Sequence, residues 1–384
     1  MSATIDPTVA AQAAEIADRA ESELAALVDV SSPSGDVPGA EAAIAVCLEL
    51  LPDGAEIERP PCSTEGSAPD LIATVRGSGV GRIMLLGHVD TVIGHEAHQP
   101  LRRDGERLYG TGTVDMKGGD VLAFGMARAL AQRPDRFAEL AVLMVCDEEW
   151  RTTPFLHVER FSGYDACLCF EAGHLTADGR EGVVVKRKAA GTLVVDATGR
   201  AAHSGAAPDQ GRNALLALAR VADRVAGFHD LSGPDQLSVV PTVMRSGSAF
   251  NVVPAAGELI CDMRARRLEA FAPVLASVPA ELDEVTLDAR MGRTWPGMDS
   301  IAATAPLLEG ASLRLGKPIV GVPRGGASDA SHFAGSIPLT IDGLGPRGGG
   351  AHTPGEFALR EALALRAEVA LAIGHELLDG AGSF

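Results

Sequence analysis

The chain has 384 residues, 46% of them hydrophobic and 22% charged, which is ordinary for a soluble globular protein and enough for two domains with cores of their own. A formal net charge of −18 leaves no basic face for phosphate, so nucleic acid is not expected as a partner. The N-terminus carries no basic stretch followed by an apolar one, and no apolar run approaches the ~20 residues of a spanning helix, so neither a secretory signal nor a membrane partner is expected.

Ile16, Ala20, Leu24, Leu27 and Val28 recur at helical spacing and predict a helix within 10–30, ended by Ser31-Ser32-Pro33-Ser34-Gly35. Arg82 to Leu86 reads as a buried strand, Asp120 to Gln132 as a helix, Leu140 to Val145 as a second strand and Asp165 to Phe170 as a third. Near-continuous apolar strands alternating with helices predict an α/β domain with a mixed, largely parallel sheet and helices on both faces. After about Lys186 the pattern changes. Thr192 to Thr198, Leu237 to Arg245, Glu258 to Arg266 and Glu284 to Arg290 read as strands, with helices over Arg212 to Gly227 and Leu268 to Val278. That β-α-β-β-α-β order is the pattern of an α+β ferredoxin-like module. Trp295-Pro296-Gly297 ends it and α/β character resumes. The expected organisation is one domain of residues 1–185 and 293–384, interrupted by an inserted module of residues 186–292. The six cysteines mostly fall in apolar, strand-like segments and read as buried thiols in a reducing cytoplasm; Cys167 and Cys169, at period two, share one side of a strand.

The polar residues fall where these strands stop. The first strand runs into Gly87-His88-Val89-Asp90-Thr91, the second into Asp147-Glu148-Glu149 and the third into Glu171. The C-terminal ends of parallel strands are where open α/β sheets place their sites. Gly112-Thr113-Val114-Asp115-Met116-Lys117-Gly118-Gly119 precedes the helix, which puts Asp115 in the connecting loop, and Ala351-His352-Thr353-Pro354 lies in a late glycine-rich loop. Taken singly, His88 is an ordinary satisfied histidine and Glu148-Glu149 a solvated turn. Taken together, two histidines and three carboxylates suit two divalent ions that share one carboxylate. Rival readings fit less well. Gly110-Thr111-Gly112 is followed by Asp115 where a dinucleotide fingerprint needs glycine. Gly326-Ala327-Ser328-Asp329-Ala330 misses the nucleophile elbow in its last residue. A non-catalytic metal-binding or scaffold protein of the same fold stays as the alternative from another class.

These motifs, with Phe170-Glu171, Ala202-His203-Ser204-Gly205 and Asn251-Val252-Val253-Pro254, resemble those of the M20 metallopeptidase family over essentially the whole chain. The family includes glutamate carboxypeptidase, acetylornithine deacetylase, succinyl-diaminopimelate desuccinylase and aminoacylases. The run from His203 to Pro208 is most similar to the glutamate carboxypeptidase branch.

The resemblance implies a di-zinc hydrolase of an amide or peptide bond in a small acyl amino acid or peptide, with two zinc ions per subunit that cobalt or manganese can replace. It places Glu171 with His88 on one ion, Glu149 with His352 on the other, and Asp115 between them. Asp90 would accept a hydrogen bond from the second nitrogen of His88, and Glu148 would be the general base. The inserted module would be a lid and dimerisation domain of a homodimer. Its His203 and Asn251 would reach the other subunit's site, His203 steadying the oxyanion, and Arg264 would pair with a substrate carboxylate. Gly326 and Ser328, within Gly325-Gly326-Ala327-Ser328, would lie near that group. Two stretches depart from the family pattern: Trp150-Arg151-Thr152-Thr153 replaces a small or glycine-containing turn, and Ala172-Gly173 follows Glu171 where proline is frequent.

Overall fold

The computed structural model describes residues 4–380. These divide into two compact units, one running to Lys186 and then comprising Asp299–Arg324 and the chain from Ser328, the other Arg187–Met298 with Gly325–Ala327.

In the first unit, the helix Pro7–Val28 starts as its sequence dictates. Proline occupies the first position, where its missing N–H costs nothing, and the Asp6 side chain accepts from the Thr8 amide at 2.8 Å. Val9, Ala13, Ile16, Ala20, Leu24 and Leu27 form its buried stripe. That stripe packs with the helices Lys117–Ala131 and Arg360–Gly380 around one core. Leu24 is fully buried, so Leu24→Ala would cost ~2–5 kcal/mol.

The principal sheet has six strands in the order Glu56–Glu58, Leu71–Arg76, Phe137–Val145, Gly81–His88, Ala166–Cys169, Leu339–Ile341. The last four are mutually parallel, with Gly81–His88 between its two parallel neighbours. Leu71–Arg76 and Glu56–Glu58 close the opposite edge antiparallel. This is the mixed, largely parallel arrangement that the apolar strands predict. The antiparallel edge was not read from sequence.

Glycine governs two close approaches. A Cβ on Gly119 would stand 1.8 Å from the Phe170 carbonyl oxygen, and one on Gly87 2.0 Å from Asp120 Oδ1. Only glycine lets the first turn of Lys117–Ala131 lie against the ends of the strands that carry His88 and Glu171.

The second unit has an antiparallel sheet in the order Ser238–Ser246, Ala256–Ala265, Ala189–Thr198, Val285–Trp295, Glu281–Leu282. The helix Ala214–Ala226 buries Ala214, Ala217, Leu218, Val221 and Val225, and is capped by the Asn213 side chain accepting from the Leu216 amide. The predicted helix over Leu268 to Val278 is shorter. A single 3₁₀ turn, Leu268–Phe271, leads into Ala272–Ala276, with Pro273 at the start of that helix. The unit extends to Met298 because its last long strand reaches Trp295, paired with Ala190.

Candidate metal centre

His88 ends the strand Gly81–His88 and is 2% exposed. Its Nε2 lies 3.3 Å from Asp115 Oδ1 and 3.9 Å from Glu171 Oε1. His352 Nε2 lies 2.9 Å from Asp115 Oδ2 and 3.2 Å from Glu149 Oε1. The two oxygens of Asp115 are thus divided, one facing His88 and Glu171, the other His352 and Glu149. His88, Asp115 and Glu149 each offer an atom within 4.8 Å of the others. Residues 264 positions apart in the chain (His88 and His352) meet at one carboxylate because three strand ends, the helix-leading loop and the late glycine loop converge there.

Local structure explains how each group is aimed. Asp115 precedes the helix Lys117–Ala131 across a cis peptide bond to Met116. Its loop is held by Glu356, which accepts from the amides of Gly112 at 2.9 Å, Val114 at 2.8 Å and Asp115 at 2.9 Å. Lys117, buried at 1% exposure, reaches back to the Val30 carbonyl at 2.7 Å. His352 adopts a left-handed φ of 63°, a conformation that costs a non-glycine residue ~1 kcal/mol and is kept here by the surrounding loop. Asp90 does more than serve His88. The His88 Nδ1 lies 3.0 Å from the Asp90 main-chain oxygen and 3.4 Å from its Oδ1. The carboxylate itself accepts from the amides of Glu148 and Glu149, each at 3.1 Å, and from the Ser34 hydroxyl at 2.6 Å.

Burial and mutual charge set the protonation tendencies. Burial pushes Glu148 up to about 8, with Asp329 and Glu149 adding to the effect. Burial, then the charge of Asp115, raises Glu171 well above the usual carboxylate range. Asp115 goes the other way: burial works to raise it, but His352 and His88 outweigh burial and hold it below the normal range. Hydrogen bonding to Asp115 and then Glu149 raises His352 to about 10. Burial opposes charge on His88, yet Asp115 and Asp90 raise it well above an ordinary imidazole. Two imidazoles and two carboxylates around a divided third carboxylate suit a pair of divalent ions with mixed nitrogen and oxygen ligands.

The sequence-predicted residues of the second unit form a different set. The His203–Val252 backbone bridge and the Ser204 amide donating to the Asn251 oxygen at 3.0 Å bring His203 and Asn251 together. His203 is exposed, and its Nδ1 accepts from the amides of Gly205 at 3.1 Å and Ala206 at 3.2 Å. That leaves Nε2 to carry the ring proton as an outward donor. Arg264, on Ala256–Ala265, is engaged by Asp262 two residues back at 3.0–3.2 Å. The Gly326 carbonyl accepts from Arg187 at 2.9 Å. Ser328 belongs to the first unit, fully buried, its hydroxyl accepting from the Ala330 amide at 3.3 Å.

Sequence reading passed over Glu356, Lys117 and the pairing of Arg151 with Asp329. Glu356 stands four residues after His352 with no local pattern to mark it, and its amide partners lie more than 240 positions away. Lys117 sits inside a recognised motif but reads as a surface cation until its burial is seen. All six cysteines are free and buried, as read.

A family model described as peptidase family M20/M25/M40 matches residues 84–375. Carboxypeptidase G2 of Pseudomonas sp. is 27% identical over 342 residues, covering 85% of this chain and 81% of that protein. A Mycobacterium tuberculosis protein named as a succinyl-diaminopimelate desuccinylase is 29% identical over 332 residues, covering 81% and 85%. The solved structure of the Bacillus subtilis YXEP protein, described as a dinuclear metal binding peptidase from the M20 family, is similar in fold. Its TM-score is 0.68 at 16% identity, covering 95% of this chain and 99% of that one. The matched model spans His88, Asp115, Glu149, Glu171 and His352 alike, and on that evidence the chain belongs to peptidase family M20/M25/M40 and is a hydrolytic metallopeptidase.

Proposed function

We propose that the protein hydrolyses an amide or peptide bond in a small acyl amino acid or peptide that bears a free carboxylate, with two zinc ions per subunit. The carrying observation is the division of Asp115, with one oxygen toward His88 and Glu171 and the other toward His352 and Glu149. His88, Asp115 and Glu171 would hold one ion, and Glu149, Asp115 and His352 the second. When bound, the ions supply positive charge that polarises the scissile carbonyl and acidifies the attacking water.

Glu148 takes the proton from that water and returns it to the leaving nitrogen. It suits the task because it is 7% exposed, adjoins the candidate ligand Glu149, and has its amide fixed by Asp90. Asp90 orients both His88 and the acid turn. In the second unit, His203 accepts through Nδ1, which leaves Nε2 as a donor suited to a developing oxyanion, with Asn251 beside it. Arg264 receives the substrate carboxylate, which must share the guanidinium with Asp262. Gly326 and the Ser328 backbone contribute near that carboxylate. We assign His203 and Asn251 to the site of a second copy of the chain, so the working form is a homodimer. Two relatives support an amide carrying a carboxylate: one is named for carboxypeptidase action, the other for removing a succinyl group.

Elemental analysis of protein purified without chelator should find zinc near two per chain. Chelation should abolish cleavage of a panel of N-acyl amino acids and dipeptides, and zinc, cobalt or manganese should restore it. Full activity after verified removal of all metal would sink the reading.

A further inference from the structure

The turn Asp147-Glu148-Glu149 follows the strand Phe137–Val145 and has no helix of its own to hold it, so its carboxylates are only as fixed as its contacts. Asp90 grips one flank through the Glu148 and Glu149 amides. Arg151 grips the other. It is 0% exposed, although Trp150 beside it is 62% exposed. Its Nε donates to Asp147 Oδ1 at 3.0 Å, its Nη1 and Nη2 to the two oxygens of Asp329 at 2.5 and 2.7 Å, and its amide to the Asp147 carbonyl at 2.9 Å. The guanidinium lies 4.2 Å from the centre of the Phe155 ring. Asp147 Oδ2 in turn accepts from the Thr64 amide at 2.8 Å.

Three charges have been taken out of water to build this contact. Buried ion clusters give little net stability, since desolvation offsets their attraction, but they fix geometry tightly. A guanidinium fork satisfies two carboxylates at once in a single plane, which an ammonium cannot do.

We propose that Arg151 and Asp329 are positioning residues of the hydrolytic site: their fork, tied through Asp147, holds the acid turn so that Glu148 faces the attacking water and Glu149 faces its ion. This rests on the hydrolase reading above. It also gives Arg151 a role that its exposed neighbour Trp150 does not share.

The test separates positioning from packing. Arg151→Met removes the cation and leaves Asp147 and Asp329 unpaired, so a loss of Tm is expected. Pairing it with Asp329→Asn removes one of the two anions with the cation, leaves Asp147 on the Thr64 amide, and should recover much of the lost Tm. Cobalt titration of each protein, followed by its absorption spectrum without substrate, reports the ligand geometry. The double variant should show an altered cobalt spectrum and a kcat ~10–100-fold below wild type with KM little changed. Arg151→Lys should fall between. A double variant with recovered Tm, a wild-type cobalt spectrum and wild-type kcat would overturn the proposal and leave the cluster a packing device. Should the double variant fail to fold, Asp329→Asn alone decides: unchanged spectrum and kcat overturn it. If the wild type cleaves nothing on the substrate panel, the hydrolase reading fails first, and the cobalt spectra still test the clamp.

Discussion

The two units handle their functional side chains in opposite ways. In the first unit, His88, Asp90, Glu148 and Glu149 are buried, and a shell of residues from across the chain holds them: Ser34, Glu356, Lys117, Arg151 and Asp329. In the second, His203 is exposed on a loop, Asn251 lies on a neighbouring loop, and Arg264 is held by Asp262 on its own strand. A cluster of like charges must be preorganised, because water and protons relieve it otherwise. Groups that meet substrate from outside need reach rather than burial. The first unit is thus a buried, braced centre, whereas the second leaves His203 exposed and lightly held.

Glu148 is the position where the buried centre is most sensitive. Glu148→Gln keeps size and polarity but removes the base, so kcat should fall by ~10²–10⁴ while zinc content stays near wild type. Near-normal turnover would move the base to another residue and remove the special status of the buried turn.

A smaller loss is expected at the second unit. His203→Ala removes one oxyanion donor and should lower kcat ~10²–10³-fold without loss of metal. If His203 serves another copy of the chain, mixing Glu148→Gln with His203→Ala should regenerate activity that neither shows alone. No recovery after verified subunit exchange would confine each site to one subunit.

The smallest effect concerns stability. Asp120 is fully buried with both oxygens unpartnered, and burial raises it to about 8, against partial relief from His88 and Lys117. A carboxyl raised on folding contributes stability below its unfolded value of 3.8 and loses it as pH rises through about 8. Asp120→Asn should therefore gain on the wild type between about pH 4 and pH 8, by ~1 kcal/mol or more at the upper end. Parallel denaturation curves at pH 5 and pH 9, with no relative gain for the variant, would show that Asp120 is stabilised in its charged form.

Period and apolar continuity were enough to place the strands Gly81–His88, Phe137–Val145 and Ala166–Cys169 and the helix behind Asp115, because a strand buried on both faces has nowhere to put a polar residue until it ends. His88, Glu149 and Glu171 were legible for the same reason: they stand where those runs stop, whereas Asp115 and His352 stand in glycine-rich loops and were marked by the motifs around them. The order of the inserted module was also legible, while its second helix is shorter than its apolar spacing predicts, since spacing does not register Pro273 and a 3₁₀ start. Only the tertiary structure decided the rest. The antiparallel edge of the large sheet, the Glu356 cradle beneath Asp115 and the Arg151–Asp329 fork join residues far apart in sequence. Each is set by burial and by a partner that no local pattern names. A buried charge looks like a surface charge in a string of letters, and desolvation, which makes the difference, exists only once the chain has folded.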